Sequence, residues 1–149
     1  MYKGNKYNFK PKHKSKYKGN PTKIIARSSW ELKLMVKLDN HPDVIEWSSE
    51  GVIIPYKSPI DDRIHRYFMD FYVKFKNTKD EIVTMMIEVK PLAQTKPPVK
   101  RKNQQKKTFL REVMTWGVND AKWKAAREFA KKKNWIFEIF TEKDLDVRF

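Results

Sequence analysis

Residues 65–91 read HRYFMDFYVKFKNTKDEIVTMMIEVKP. Two runs rich in aromatic and β-branched residues flank NTKD, a turn-like tetrad, which predicts a hairpin with strands over 65–77 and 81–90. Side chains alternate along a strand, so Phe68, Asp70 and Tyr72 share one face of the first and Met86, Glu88 and Lys90 one face of the second. If the strands pair, Asp70 and Glu88 come within reach of one ion. A lone charge among Phe, Met and Ile is costly unless neutralised, and two carboxylates need a cation. Mg2+ suits them, because it prefers oxygen and commonly takes one or two carboxylates with waters and a substrate phosphate. An ion held there acidifies water and stabilises the charge that builds on a phosphodiester in transit. Lys90 is placed to orient that water and to balance the negative charge. The plainer alternative is a cross-strand carboxylate–lysine pair on a half-exposed sheet face, a pattern that arises by chance in many chains.

The composition narrows the chemistry. A chain of 149 residues is one domain by length, and 40% hydrophobic content with five Trp and nine Phe argues for a packed core. There is no cysteine, and three scattered His cannot build a metal site alone, so any metal is held by oxygen. No apolar run approaches the roughly 18 residues of a membrane span, and the first residues lack the apolar core of a signal peptide. The expectation is a soluble protein made in the cytosol, without a membrane partner.

The net charge of +15 is unevenly spread. Residues 1–27 carry nine Lys/Arg and no acid, and residues 93–111 carry seven and no acid, so sixteen of the 33 basic residues sit on two segments and the rest of the chain is near neutral. Such appendages suit a polyanion, because each phosphate neutralised releases counterions. Tyr2, Tyr7, Phe9 and Tyr17 interleave with the first set and can stack on bases, which favours nucleic acid over an acidic membrane. Lys12, Lys14, Lys16 and Lys18 on the first segment, and Lys100, Arg101, Lys102, Lys106 and Lys107 on the second, are the expected phosphate contacts.

Residues 1–22, with Gly4, Pro11, Gly19 and Pro21 among lysines, read as an extended, flexible arm preceding a domain over 23–149. SSWELKLMVKLDNHPD (28–43) reads as a helix with Ser28 as N-cap, and Glu31, Leu34, Met35 and Leu38 on one stripe. Glu31 has two readings: Ser28-x-x-Glu31 is a capping box, yet the residue also lies on the stripe that should meet the sheet. A short strand follows at 51–56, and the proline-rich stretch 91–107 reads as a loop or flap. Helices are expected within 104–116 and over 119–133, a buried strand at 135–140, and a last short helix from Thr141. Lys122, beside Trp123, can reach a phosphate from the flank, although such a lysine is more often a surface residue lying along apolar groups. The order predicts a mixed α/β domain with a central sheet of about four strands flanked by helices.

The helix bearing Glu31, the strand bearing Asp70, the hairpin to EVK and the helix beyond resemble the restriction-endonuclease-like PD-(D/E)xK fold, with Met69 in place of the motif's proline. RSSWELKLM, RYFMDFYV, IEVKP, AKWKAAREFA and WIFEIFTEKDL are similar in order and spacing to the TnsA-type transposon endonucleases. YKGNPTKIIARSSWELKLM, EWSSEGVIIPYKSPID and HRYFMDFYVKF further resemble the head-completion nucleases of T-even-type tailed bacteriophages, from about residue 17 onward. That resemblance implies an endonuclease acting on DNA in the filled head before the tail joins, dependent on Mg2+ with Mn2+ able to substitute. It implies Asp70, Glu88 and the Val89 carbonyl as metal ligands, Lys90 as the catalytic lysine and Glu31 as a helix-borne acid. Implied partners are DNA and phage head, portal or neck proteins, in the host cytoplasm during assembly or retained in the virion. Two other functions fit the same resemblance: a head-closure protein that binds DNA or the portal without cutting, and a TnsA-like transposase subunit.

Overall fold

The structure is a computed structural model and describes residues 6–145. In chain order it runs β1 (Tyr7–Phe9), a 3-10 turn (Lys14–Lys16), β2 (Ile24–Ala26), α1 (Ser29–Asn40), β3 (Val44–Ser49), β4 (Ile53–Lys57), β5 (Ile64–Phe68), β6 (Phe71–Lys76) and β7 (Ile82–Val89). A second 3-10 turn (Leu92–Thr95), α2 (Lys106–Lys133) and β8 (Ile136–Phe140) complete it. The expected mixed α/β architecture is present: the central sheet has four strands in the order β3-β6-β7-β8, with β7 and β8 parallel and the other pairs antiparallel.

The β6–β7 hairpin closes through Asn77, whose side-chain oxygen accepts the N–H groups of Lys79 and Glu81 at 2.9 Å each, with Asp80 left-handed at φ 66°. Pairing runs from Phe71↔Ile87 to Lys76↔Ile82. Alternation then divides the core. Phe71, Val73, Phe75, Ile87 and Val89 pack with Leu34, Met35 and Leu38 of α1, whereas Met86 packs with Trp123, Ala126 and Ala130 of α2.

Several local expectations are corrected. The aromatic run at 65–77 is two strands, because Met69 N–H bonds the Val52 carbonyl (2.9 Å) and β5 leaves the sheet to pair with β4 as a separate ribbon. Residues 44–49 form β3, an outer strand of the central sheet. The two helices expected over 104–133 are one helix of 28 residues that continues through Gly117, since glycine weakens a helix without ending it. Residues 142–145 turn without forming a helix, and Asp144 accepts the Thr141 N–H at 2.8 Å.

Residues 6–22 are also not an extended arm: β1 pairs with β2, Tyr17 packs edge-on against the fully buried Trp47 (ring centroids 4.8 Å), and Lys18 N–H bonds the Trp47 carbonyl at 2.8 Å. Tyr7, Phe9 and Tyr17, expected to meet bases, thus pack against the core. Residues 1–5, the outer part of the expected arm, lie outside the described residues, as do residues 146–149. Asp39, 1% exposed, anchors the segment by accepting N–H groups from Lys12 (2.8 Å) and His13 (3.3 Å). Asp39→Ala strands these donors and is expected to lower unfolding stability by about 1–3 kcal/mol in a urea titration. An unchanged midpoint would contradict the anchoring.

Candidate active site

The site forms where β6 begins and β7 ends. Asp70 lies one residue before β6, so the strand's alternation no longer sets its direction. Its Oδ2 instead accepts the Val89 N–H at 2.8 Å, substituting for the next bond of the β6–β7 ladder. That bond fixes one carboxylate oxygen beside the residue that follows Glu88. Glu88, 6% exposed, is on the α2 face with Met86, and the Tyr67 hydroxyl donates to its Oε2. Lys90 Nζ lies 3.8 Å from Glu88 Oε1 with its side chain largely covered.

Glu31 comes from the other layer, and both of its readings hold. Its N–H donates to the Ser28 hydroxyl at 3.1 Å, so Ser28 caps α1, and that hydroxyl donates to Glu31 Oε2 at 3.2 Å. At the same time Glu31 is 3% exposed and close enough to Asp70 for the two charges to repel.

Each carboxyl binds its proton more tightly than an ordinary one. Burial, then the negative charge of Asp70, pushes Glu31 up to about 7, against the Ser28 hydrogen bond and the Arg27 cation. Burial pushes Asp70 up to about 6, against the Val89 N–H and the charge of Lys90. Glu88 is also raised by burial, with Lys90 and Lys122 opposing. Both lysines therefore act on Asp70 and Glu88 alike. Lys122 is half-buried on α2, its ammonium 5.4 Å from the Tyr67 ring centre and 5.7 Å from that of Tyr56.

Among the described residues no three His, Asp or Glu side chains converge tightly enough to form a metal cage by themselves. The donors at the end of β7 are two carboxyls and backbone oxygen, which matches what Mg2+ takes when substrate and water complete its shell.

The expected phosphate contacts divide into two groups. Lys12, Lys14, Lys100, Lys102, Lys106 and Lys107 are exposed. Lys16 is corrected: its ammonium caps α1, donating to the carbonyls of His41 (2.8 Å) and Asp39 (3.3 Å). Lys18 lies 3.8 Å from Glu46 and over the Tyr72 ring, and Arg101 pairs with Glu112 at 3.2 Å. Two neighbours escape the sequence pattern. Tyr67 reaches Glu88 only because β5 peels away from the sheet. Glu50, left-handed at φ 56°, donates its N–H to the Asp70 carbonyl (3.2 Å) and pairs with Arg27 at 2.9 Å. Only Glu50, next to Gly51, carries a turn signal.

A family model described as "TnsA-like endonuclease N terminal" matches residues 41–142, a span that holds Asp70, Glu88 and Lys90 but not Glu31. The chain is also 42% identical over 138 residues to the "Head completion nuclease" of Enterobacteria phage T4, covering 91% of this chain and 89% of that relative. The four-stranded mixed sheet between α1 and α2 is the restriction-endonuclease-like core expected of such a match. With more than half of its length matched by the family model and a relative aligned over nearly all of it, the chain belongs to the TnsA-like endonucleases.

Proposed function

We propose that the protein is a divalent-metal-dependent DNA endonuclease that acts in phage head completion, processing packaged DNA before tail attachment with little sequence specificity. The observation that supports this best is the meeting of Asp70, Glu88, Lys90 and Glu31 at one end of the sheet, with three carboxyls raised in pKa by burial. Oxygen donors that resist ionisation in the free protein are what a hard cation relieves. Head completion enters through the name of the T4 relative.

Asp70, Glu88 and the Val89 carbonyl would hold Mg2+, or Mn2+ in its place. Val89 N–H already faces Asp70, and within a strand the carbonyl of a residue points to the same side as its N–H. When bound there, the ion would supply Lewis-acid stabilisation of the scissile phosphate and would acidify a water. The protein supplies position. Lys90, held near Glu88, aligns the water for in-line attack on phosphorus and balances the charge that develops. Glu31 takes up a proton readily near neutrality because burial and Asp70 raise its affinity. Lys122 offers a second cation to the phosphate from α2.

The exposed lysines at 100–107 and 12–14 grip the duplex backbone, which gives affinity without base readout. Lys106 and Lys107 begin α2, whose first turn has no acid. Cations at the positive end of a helix are unfavourable until an anion arrives, so their placement supports phosphate binding.

Asp70→Ala and Lys90→Ala are each expected to reduce Mg2+-dependent nicking of supercoiled plasmid by about a hundredfold or more. Wild-type activity in both would overturn the assignment. Asp70→Ala supplied to a mutant phage is expected to leave heads incomplete, whereas normal heads would point to a non-catalytic closure protein.

Stability gives a second readout. Because folding raises these pKa values, each carboxyl contributes stability that is complete below the ordinary carboxylate range and is lost as pH rises through the folded value, about 7 for Glu31. For Glu31, nearly fully buried, the loss is at most about 3 kcal/mol. In EDTA, Tm is therefore expected to fall between about pH 5 and 8, with Glu31→Gln flattening the fall and Mg2+ restoring Tm at the upper end. A Tm indifferent to pH and to Mg2+ would contradict the metal seat.

A further inference from the structure

A groove of about 540 Å³ lies between the proline-rich stretch after β7 and the first half of α2. One wall is Pro97 and Val99; the other is Trp116 and Asn119, with Lys96 and Arg111 at its rim. The volume is that of a small-molecule site, large enough for one nucleotide unit. Trp116 connects it to the site described above. Its ring stacks edge-on to Trp123 with centroids 5.8 Å apart, and the Trp123 indole lies beside Glu88.

Asn119 points to an occupant. It is 8% exposed and lines the groove. An amide presents a donor and an acceptor side by side, the pattern that reads the edge of a nucleobase. Trp116 offers a ring on which a base can stack, Pro97 and Val99 close the pocket with apolar contact, and Lys96 and Arg111 sit where the flanking phosphates would pass.

We infer that this groove binds one unpaired nucleotide of the DNA, with Trp116 stacking on the base, Asn119 pairing with its edge and Arg111 holding its phosphate. A base within a duplex would first have to be unstacked and unpaired, a cost that an unpaired base is spared. The preferred substrate class is accordingly DNA with a single-stranded tail or gap next to duplex. This inference rests on the proposed DNA-cleaving function and refines it.

Binding in EDTA tests it apart from catalysis. Fluorescence anisotropy compares a blunt duplex with duplexes of the same sequence bearing four-nucleotide 3′ or 5′ tails. The wild-type protein is expected to bind at least one tailed duplex about tenfold more tightly than the blunt one. Trp116→Ala and Asn119→Ala are expected to abolish that preference while leaving blunt-duplex affinity within about twofold, and Trp116→Phe to retain most of it. Arg111→Ala, an exposed change that leaves the core untouched, is expected to lower the preference as well. Equal affinity of the wild type for blunt and tailed DNA overturns the inference and leaves the nuclease reading standing. Failure to bind any DNA overturns both. Parallel losses on both substrates in folded variants would reassign the groove to duplex backbone and overturn it too.

Discussion

The hydrogen bond from the Val89 N–H to Asp70 Oδ2, 2.8 Å long, is the contact on which the site's arrangement depends. It occurs where the chain stops being one sheet and becomes two, between the β4–β5 ribbon and the central strands. A backbone donor that would otherwise go unpaired at the end of a ladder is satisfied by a side chain from the break itself. The carboxylate is thereby fixed next to Glu88 without belonging to the alternation of either strand. The ribbon's departure also turns Tyr67 toward Glu88 and lets Glu50 hold the Asp70 carbonyl from the far side.

Around that contact the electrostatics are deliberately unbalanced. Three carboxyls resist ionisation, while Lys90, Lys122 and Arg27 lie near enough to oppose the shift without cancelling it. Hydrophobic packing supplies the counterweight: α1 and α2 press Leu34, Met35 and Leu38 on one side, and Trp123, Ala126 and Ala130 on the other, against the same sheet. Local strain at Glu50, a non-glycine residue at φ 56°, is held by the same surroundings.

Much of this was legible in the residues. The hairpin, the faces of Glu88 and Met86, the α1 stripe and the N-cap at Ser28 follow from period and capping chemistry, which act over a few residues. What escaped depends on distant partners. A run of aromatic and β-branched residues does not reveal that it divides at Met69, because the division is made by a bond to Val52. A lysine-rich beginning looks like a tail until Trp47 supplies a surface for Tyr17 to cover. Lys16 carries a charge that composition assigns to phosphate and that α1's carbonyls in fact occupy. Glycine at 117 lies between the two helices expected, yet α2 runs through it unbroken. For the candidate site, Asp70, Glu88 and Lys90 stand out by type and spacing and Glu31 only through the resemblance to known nucleases, while Tyr67, Glu50 and Asn119 acquire meaning only from what surrounds them.

The continuity of α2 also sets a scale. Lys106 begins the helix and Trp123, beside Glu88, belongs to it, so one rigid rod spans about 25 Å between a cationic end and the carboxylates. Along B-form DNA that length corresponds to about seven base pairs. On the proposed function the helix would act as a ruler, holding fixed the interval between phosphates gripped at one end and the bond presented at the other, whatever the sequence in between.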